Sequence, residues 1–256
     1  MQANNPTPTM VVVTLVNCLM MSYIWAVTLT QQDWVVLVST AVFLTSSYTA
    51  ARLWFAHLGG PDELKRRSWV LGGIAALLLS VLGAPVAYDV LLHWRDPSYF
   101  TSIVSTDYSY SRVAVVFFSA EMVLDMVIGC LDYPLQMGMA TAFLHHTLFL
   151  LGGWATLHNH CSGYFLACCV VELPTLVLAV GSMYKPFRAD LLFGVLFLFT
   201  RVGYTVWFTV MLGLYANMPL FTSMMIPSLM MNFYWFYSWG VGYLTRGKVD
   251  GAKRKN

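Results

Sequence analysis

Long apolar segments recur along almost the whole of this 256-residue chain, and they restrict it to helices that cross a membrane. A spanning helix needs about 20 mostly apolar residues, because the lipid interior offers no water to satisfy backbone groups. The sequence predicts an all-α transmembrane fold with eight such helices: Met10–Leu29, Trp34–Leu58, Trp69–Leu92, Val113–Leu131, Gly138–Leu157, Cys161–Met183, Leu191–Tyr215 and Leu220–Leu244.

The first two segments need separate comment. The second contains the polar run Thr45–Thr49 and has Arg52 near its end. If it lies along the membrane surface, the protein has seven spans rather than eight. The first segment has no basic stretch before it and is long for a signal peptide, so we expect an uncleaved span.

Composition supports the same class of protein. Hydrophobic residues make up 58% of the chain and charged residues 10%, whereas soluble domains have about 25% charged residues. Little of the chain remains for a soluble domain, and the formal net charge is only +2. We therefore expect a protein that is integral to the membrane, with membrane lipids and no nucleic acid as partners.

Basic residues predict the orientation. They follow the second, sixth and eighth segments, which face the same side if eight helices alternate, and that side should be cytosolic. Most often such residues only set topology, but those in the two loops can also attract the phosphates of a cytosolic ligand. The loop residues are Lys65, Arg66, Arg67, Lys185 and Arg188.

Ionisable residues also occur inside the apolar segments. A charged group at that depth costs about 2.5 kcal/mol or more, so it usually faces a protein interior or a wet cavity. The most unusual pair is the adjacent His145 and His146, and neighbouring segments add Glu121, Asp125, Glu172 and Arg201.

Helical spacing places these groups on common faces. Glu121 and Asp125 are four residues apart and share one face of the fourth segment. Tyr204 lies on the same stripe as Arg201, and Asn232 adds a polar group to the last segment. We expect Glu121, Tyr204 and Asn232 to support a polar site between the helices.

Depth points to a single site. At about 1.5 Å of rise per residue, Asp125 lies about 9 Å, His145 about 11 Å, and Glu172 and Arg201 about 15 Å from the cytosolic ends of their segments. Similar depths on four helices predict one cavity open toward the cytosol, with Arg201 paired to Glu172 or Asp125. The alternative is a polar network that only fixes helix packing.

The sequence does not favour a metal site. His158 and His160 lie at the other end of the fifth segment, about 20 Å from His145. No CxxC pair has zinc spacing, and most of the five cysteines fall in apolar runs, where they are expected to be small buried side chains. We expect no metal.

The order of motifs is similar to that of a known family. KRRSW opens a span, SAEMVLDMV precedes a short loop, FLHHT starts the next helix, and VVELP and FTRVGY follow. This set resembles the TLC-domain family, the multispan endoplasmic-reticulum proteins that include the ceramide synthases. The resemblance covers about residues 64–244.

The resemblance implies a domain organisation and roles for particular residues. Residues 64–245 would be a six-helix TLC core, residues 1–63 an N-terminal region with one or two spans, and residues 246–256 a basic cytosolic tail. The family's histidine pair corresponds to His145 and His146, and its two acidic positions correspond to Asp125 and Glu172.

Two functions follow as expectations. The chain lacks the polar stretch that follows the histidine pair in ceramide synthases, and Val171 and Glu172 replace the late His-Asp pair. It thus looks closer to the short TLC-domain members, whose cavity would bind a lipid head group in membrane-lipid homeostasis. The alternative is a ceramide-synthase-like acyltransferase that joins an acyl-CoA co-substrate to a sphingoid or other lipid amine, with no further cofactor.

Overall fold

The computed structural model describes residues 6–138 and 143–253, with side chains as far as residue 245, and these residues form helices without a β-strand. The helices are α1 Pro8–Thr28, α2 Gln31–Leu58, α3 Glu63–Arg67, α4 Val70–Leu92, α5 Pro97–Val104, α6 Ser109–Asp132, α7 His145–His158, α8 Ser162–Cys168, α9 Leu173–Met183, α10 Asp190–Leu196, α11 Thr205–Met211 and α12 Pro219–Lys253.

Irregular helical turns join several of these helices into longer units. A 3₁₀ segment, Cys169–Glu172, connects α8 to α9, and a π-helical segment, Phe197–Tyr204, connects α10 to α11. Further short turns are Pro134–Gln136, Lys185–Phe187 and the π-helical Leu212–Ala216.

Six helical units in the described residues are long and apolar enough to cross a membrane, which confirms a multispan membrane-type fold. They are Pro8–Thr28, Gln31–Leu58, Glu63–Leu92, Ser109–Asp132, Ser162–Met183 and Asp190–Ala216. They correspond to six of the predicted spans, including the second, whose polar run lies within one continuous helix.

The other two predicted spans are not among these six. The fifth, Gly138–Leu157, runs through residues 139–142, which lie outside the described residues, and its described helix α7 has 14 residues. The eighth lies within α12, a continuous helix of 35 residues that contains Pro227. The total of eight spans therefore stays a prediction, and the side chains of the basic tail lie outside the described residues.

Capping residues explain where several helices begin. Thr30 and Asp33 form a capping box at the start of α2, since each side chain accepts a hydrogen bond from the other's backbone N–H. Asp96 caps α5, with Pro97 in its first turn. The Asp-Pro pair is a recognisable start signal for a helix.

The core lies around α4, α6 and α8. α6 packs against α1, α2, α4, α7 and α8, and α4 packs against α8, α9 and the 3₁₀ segment between them. Gly83 permits the close approach of α4 to the 3₁₀ segment, because a Cβ at that position would lie 2.5 Å from Cys169 Cβ. The cysteines of the chain are free thiols.

The N-terminal hairpin of α1 and α2 is fastened to this core by polar contacts. Asn17 on α1 accepts a hydrogen bond of 3.1 Å from Thr147 on α7. The hairpin ends at Gly59 and Gly60, whose φ angles of 62° and 102° favour glycine over other residues.

The basic loop residues gather at one end of the bundle. Lys185 lies 2.6 Å from Asp62, which brings the α9–α10 connection beside α3. Arg67 pairs with Asp132 at the end of α6, and Tyr48 of α2 donates a hydrogen bond to the same carboxylate. We call this end of the bundle the basic end and the opposite end, which carries α5, the α5 end.

An ion-pair cluster closes the α5 end. Arg112 on α6 contacts Asp33 at 2.6 Å and Asp107 at 2.9 Å, and Ser162 on α8 donates a hydrogen bond of 2.5 Å to Asp107. Burial opposes the Asp107 charge, but the hydrogen bonds from Ser162 and Arg112 outweigh it and lower the pKa of Asp107. Its contribution to stability is therefore complete above about pH 4 and is lost as the pH falls through the lowered pKa.

The cluster predicts the effect of one substitution. Arg112→Ala should lower the free energy of unfolding by roughly 3 kcal/mol, because it leaves two neighbouring carboxylates without their shared cation. The apparent melting temperature of the detergent-solubilised protein measures this. Arg95→Ala is the matched control, since Arg95 lies between α4 and α5 near the same end of the bundle, is exposed and stacks on Trp94. Equal melting temperatures for the two variants would contradict the assignment.

Candidate functional site

A large cavity opens near the basic end of the bundle, and its mostly apolar wall carries the buried ionisable residues from which we name it. It lies between α4, α6, α7, α9, the Phe197–Tyr204 π-helical segment and α12, and its empty space is about 1760 Å³ including the open mouth. Lys65 and Trp69 lie on its wall toward α3. We refer to it as the polar cavity.

The predicted core of the site lines this cavity. The six ionisable residues that the sequence analysis named inside the apolar segments are on its wall: Glu121, Asp125, His145, His146, Glu172 and Arg201. They come from α6, α7, the 3₁₀ segment and the π-helical segment, so residues far apart in the sequence meet at one place.

Arg201 is the most heavily bonded of these side chains. Its Nε donates to the Val171 carbonyl at 2.8 Å, and one terminal nitrogen donates to Glu172 at 3.0 Å and to Thr175 at 2.8 Å. The Arg201 side chain is 9% exposed and that of Glu172 is 14% exposed. Of the two partners that the sequence left open, Arg201 takes Glu172.

Local helix irregularities position this pair. Proline has no backbone N–H to donate to the preceding turn, and Pro174 is the second residue of α9, just after the 3₁₀ segment that carries Val171 and Glu172. On the other side, Arg201 lies in a π-helical segment, a widened turn that is frequent at functional sites. The widened turn also changes local bonding, because Thr205 donates five residues back to the Thr200 carbonyl.

Asp125 holds the second polar contact of the cavity. Its carboxylate lies 3.2 Å from His146 Nε2 and accepts a 2.6 Å hydrogen bond from the hydroxyl of Tyr133. Both oxygens are thus used, one by each partner. His146 is 7% exposed, so Asp125 and Tyr133 fix an imidazole that is almost fully inside the protein.

His145 has a different environment from its neighbour. Its ring packs against Phe149 and Trp235, with centroids 4.4 Å and 5.6 Å away, and it meets His146 edge to face. Its Nδ1 is buried and has no hydrogen-bond partner among the described residues. The two histidines are therefore not equivalent, because only His145 has an open nitrogen on this wall.

Two more buried polar atoms on the same wall have no hydrogen-bond partner in the described part of the chain. They are Glu121 Oε2 and Trp239 Nε1. Glu121 is 1% exposed, so water in the surrounding solvent does not reach it. Leaving a buried polar group unsatisfied costs about 1–3 kcal/mol. The three residues that carry these atoms line one cavity, so a shift of their side chains would bring the atoms to a polar ligand held there.

A second, mostly apolar cavity adjoins the first. It has about 1010 Å³ of empty space, including open solvent, and extends between α7, α8, α11 and α12. Leu79, Phe118, Glu172 and Arg201 line both cavities, so the two meet at the Arg201–Glu172 pair. We call it the apolar chamber.

Tyr204 and Asn232 belong to this chamber rather than to the polar cavity that they were expected to line. Tyr204 points away from solvent and donates a 2.9 Å hydrogen bond to the Ala167 carbonyl. Arg201 lines both cavities, whereas Tyr204, one turn of helix further along, lines only the apolar chamber of the two.

The five basic loop residues have several separate environments. Lys65 lies on the wall of the polar cavity, and Arg66 is half-buried on the same short helix. Arg67, Lys185 and Arg188 pair with carboxylates, Arg188 with Asp190 at 2.8 Å. Attraction of ligand phosphates thus stays a prediction, with Lys65 the best placed of the five.

Sequence reasoning did not single out three residues of the site. Tyr133 lies in the turn before Pro134, where a tyrosine is usually an interfacial residue, yet it is 1% exposed. Its spacing of eight residues from Asp125 was the available signal. Trp235 and Trp239 also line the polar cavity, and nothing in the sequence distinguishes them from other aromatic residues near membrane surfaces.

Metal binding has no support in the described residues. No group of three or more histidine, cysteine, aspartate or glutamate side chains there is arranged to hold an ion.

The comparisons with known proteins identify no relative of this chain. No protein-family model, no curated protein and no solved structure matches it. The resemblance to the TLC-domain family therefore stays a hypothesis carried by the motifs alone.

The Arg201 contacts predict a pair of stability effects. Arg201→Ala should lower stability by roughly 3–5 kcal/mol, the cost of breaking a buried ion pair in a soluble core, because it leaves the Glu172 charge unpaired. Adding Glu172→Gln should recover a large part of that loss by removing the unpaired charge. Thermal unfolding in detergent tests both, and a double variant no more stable than Arg201→Ala would contradict the pairing.

Proposed function

We propose that this chain is a TLC-domain protein that acts in membrane-lipid homeostasis by binding a single membrane lipid. The head group of the lipid lies in the polar cavity and one hydrocarbon chain lies in the apolar chamber. The observation that carries the proposal is the junction of these two cavities at Arg201 and Glu172. A lipid has the same division into a polar and an apolar part.

The position of the cavities within the bundle supports a lipid rather than a water-soluble ligand. The helices that form them are apolar enough to cross a membrane or lie beside ones that are. Burying hydrocarbon contributes about 0.8 kcal/mol per methylene, so a chain in the chamber adds substantial affinity.

The charges of the polar cavity favour a head group that donates hydrogen bonds. Its wall carries three carboxyl groups, Glu121, Asp125 and Glu172, and the guanidinium of Arg201 already serves Glu172. Glu121 has no cation beside it in the described residues. An amine or hydroxyl group would satisfy Glu121 and the open nitrogen of His145.

The motif order supports the TLC-domain assignment and, with it, the endoplasmic reticulum as the location. SAEMVLDMV supplies Glu121 and Asp125, FLHHT the two histidines, VVELP Glu172, and FTRVGY Arg201. Each motif thus contributes a wall residue to one cavity.

Filling the chamber should prevent lipid binding. A Cβ at Gly152 would lie 3.6 Å from Met224 Cε with nothing nearer, so a larger side chain there would project into the space. We expect Gly152→Phe to reduce the lipid that stays bound through purification by at least about tenfold, measured by native mass spectrometry and lipid extraction.

Gly240→Phe is the matched control. It lies on α12 with open space around its Cβ and lines neither cavity. It should retain lipid at the wild-type level with similar stability. Equal lipid content in both variants, or no lipid in the wild type above the level of an unrelated membrane protein, would refute the proposal.

A second candidate function is acyl transfer from acyl-CoA to a lipid amine. The observation that favours it is the contact between Asp125 and His146, beside the open nitrogen of His145. An imidazole can accept the proton of the amine while the amine nitrogen attacks the thioester carbonyl. The imidazolium can then return that proton to the sulfur as the carbon–sulfur bond breaks, so that CoA leaves as the thiol. The Asp125 carboxylate would orient the histidine pair.

Replacing the histidines distinguishes the two functions, because only the acyltransferase needs an imidazole for amide formation. If the protein is an acyltransferase, His145→Ala and His146→Ala should each abolish amide formation from acyl-CoA and a long-chain amine at normal protein abundance. Reconstituted protein and mass spectrometry of the product provide the assay. Wild-type protein that binds lipid but forms no amide would exclude this second function and leave the first intact.

A further inference from the structure

We propose that the apolar chamber measures the length of the bound chain, and that an aromatic floor limits it to about ten carbons beyond the Arg201–Glu172 pair. The inference rests on the proposed function, since it requires that the chamber holds a hydrocarbon chain. It adds which residues limit the length of the bound chain and toward which end of the bundle the chain extends.

The floor consists of Tyr164 and Phe208, which line the chamber, and Phe221 supports it by packing on Tyr164. The ring centroids of Tyr164 and Phe208 are 5.8 Å apart, and those of Tyr164 and Phe221 are 4.8 Å apart. All three rings are less than 9% exposed, with Phe208 at 0%. Contacting rings of this size leave no passage for a chain between them.

A second layer closes the space behind the floor. Phe100 of α5 packs edge to face on Phe208, with ring centroids 5.2 Å apart, and is 1% exposed. It does not line the chamber. The end of the chamber is therefore two rings thick and lies at the α5 end of the bundle.

The chemistry of the floor is that of a dry surface. The Tyr164 hydroxyl lies 3.0 Å from Met225 Sδ, and a thioether is only a weak hydrogen-bond acceptor. Tyr164 and Met225 are both buried, each at 8% exposure. This wall suits a methyl end rather than a polar one.

The depth of the chamber follows from the helices that line it. Glu172 and Tyr164 are eight residues apart on α8 and the 3₁₀ segment, a rise of about 14 Å, and Arg201 and Phe208 are seven residues apart, about 10 Å. An extended chain advances about 1.3 Å for each carbon–carbon bond of about 1.5 Å. The distance from the ion pair to the floor thus holds about ten carbons.

The test uses straight-chain alkylamines from octylamine to octadecylamine. Binding to the purified protein in a bulky sterol-based detergent is measured by native mass spectrometry and by the shift in melting temperature. The amine group of the probe is expected to donate a hydrogen bond to the Glu121 carboxyl group, whose Oε2 has no partner among the described residues. In the wild type, affinity should rise about fourfold per added methylene and then level off near dodecylamine, allowing a few carbons above the ion pair.

Opening the floor should move this limit. Phe208→Ala should bind hexadecylamine at least about tenfold more tightly than the wild type, with little change for octylamine. Phe208→Leu is the milder variant in case the first is too unstable, and it should shift the limit in the same direction by less. Phe100→Ala is the matched control, because it removes an equally buried ring in contact with Phe208 but leaves the floor in place.

The outcomes separate this inference from the proposed function. Two results would overturn the chain-length inference alone, provided that Gly152→Phe blocks binding. One is a wild-type affinity that keeps rising to octadecylamine, and the other is the same length limit in the wild type and in the folded Phe208 variants. A shift in Phe100→Ala equal to that in Phe208→Ala would overturn the role of the floor. Absence of binding at every length would overturn both proposals.

Discussion

The bonding of Arg201 is the interaction on which the rest of this structure depends. A guanidinium at this depth in a membrane protein is tolerated only with partners. Arg201 has three, the Val171 carbonyl and Glu172 on the 3₁₀ segment and Thr175 on α9. These contacts join the π-helical segment to the 3₁₀ segment. They also place a charged pair where the polar cavity meets the apolar chamber, so the same bonds that hold the helices together separate the two environments.

Satisfied and unsatisfied polar groups lie side by side in the polar cavity. Arg201, Glu172 and Asp125 have partners within the protein, whereas Glu121 Oε2 and His145 Nδ1 have none among the described residues. A network that only fixed helix packing would be expected to use all of its groups, since each unsatisfied atom weakens the fold. The residues that carry these atoms line one cavity, and this is the physical argument for a ligand.

The sequence predicted the parts of the site that follow from helix period and depth. Helix period predicted that Glu121 and Asp125 share one face. Depth in the membrane limited the partner of Arg201 to Glu172 or Asp125. It could not choose between those carboxylates, because the choice depends on how Pro174 and the π-helical turn rotate the helices. The division of Tyr204 and Asn232 into a second cavity depends on tertiary packing, for which no short-range pattern exists. Tyr133 lies eight residues from Asp125, but its contact depends on the turn before Pro134.

The central claim is that one lipid occupies the two cavities across the Arg201–Glu172 pair. A cryo-electron microscopy structure of the wild-type protein in lipid nanodiscs tests it most directly. We predict continuous density with its polar end beside Glu121 and His145 and its chain in the apolar chamber, ending at Phe208. Density for lipid only on the outer surface of the bundle, with both cavities filled by water or by repacked side chains, would contradict the account.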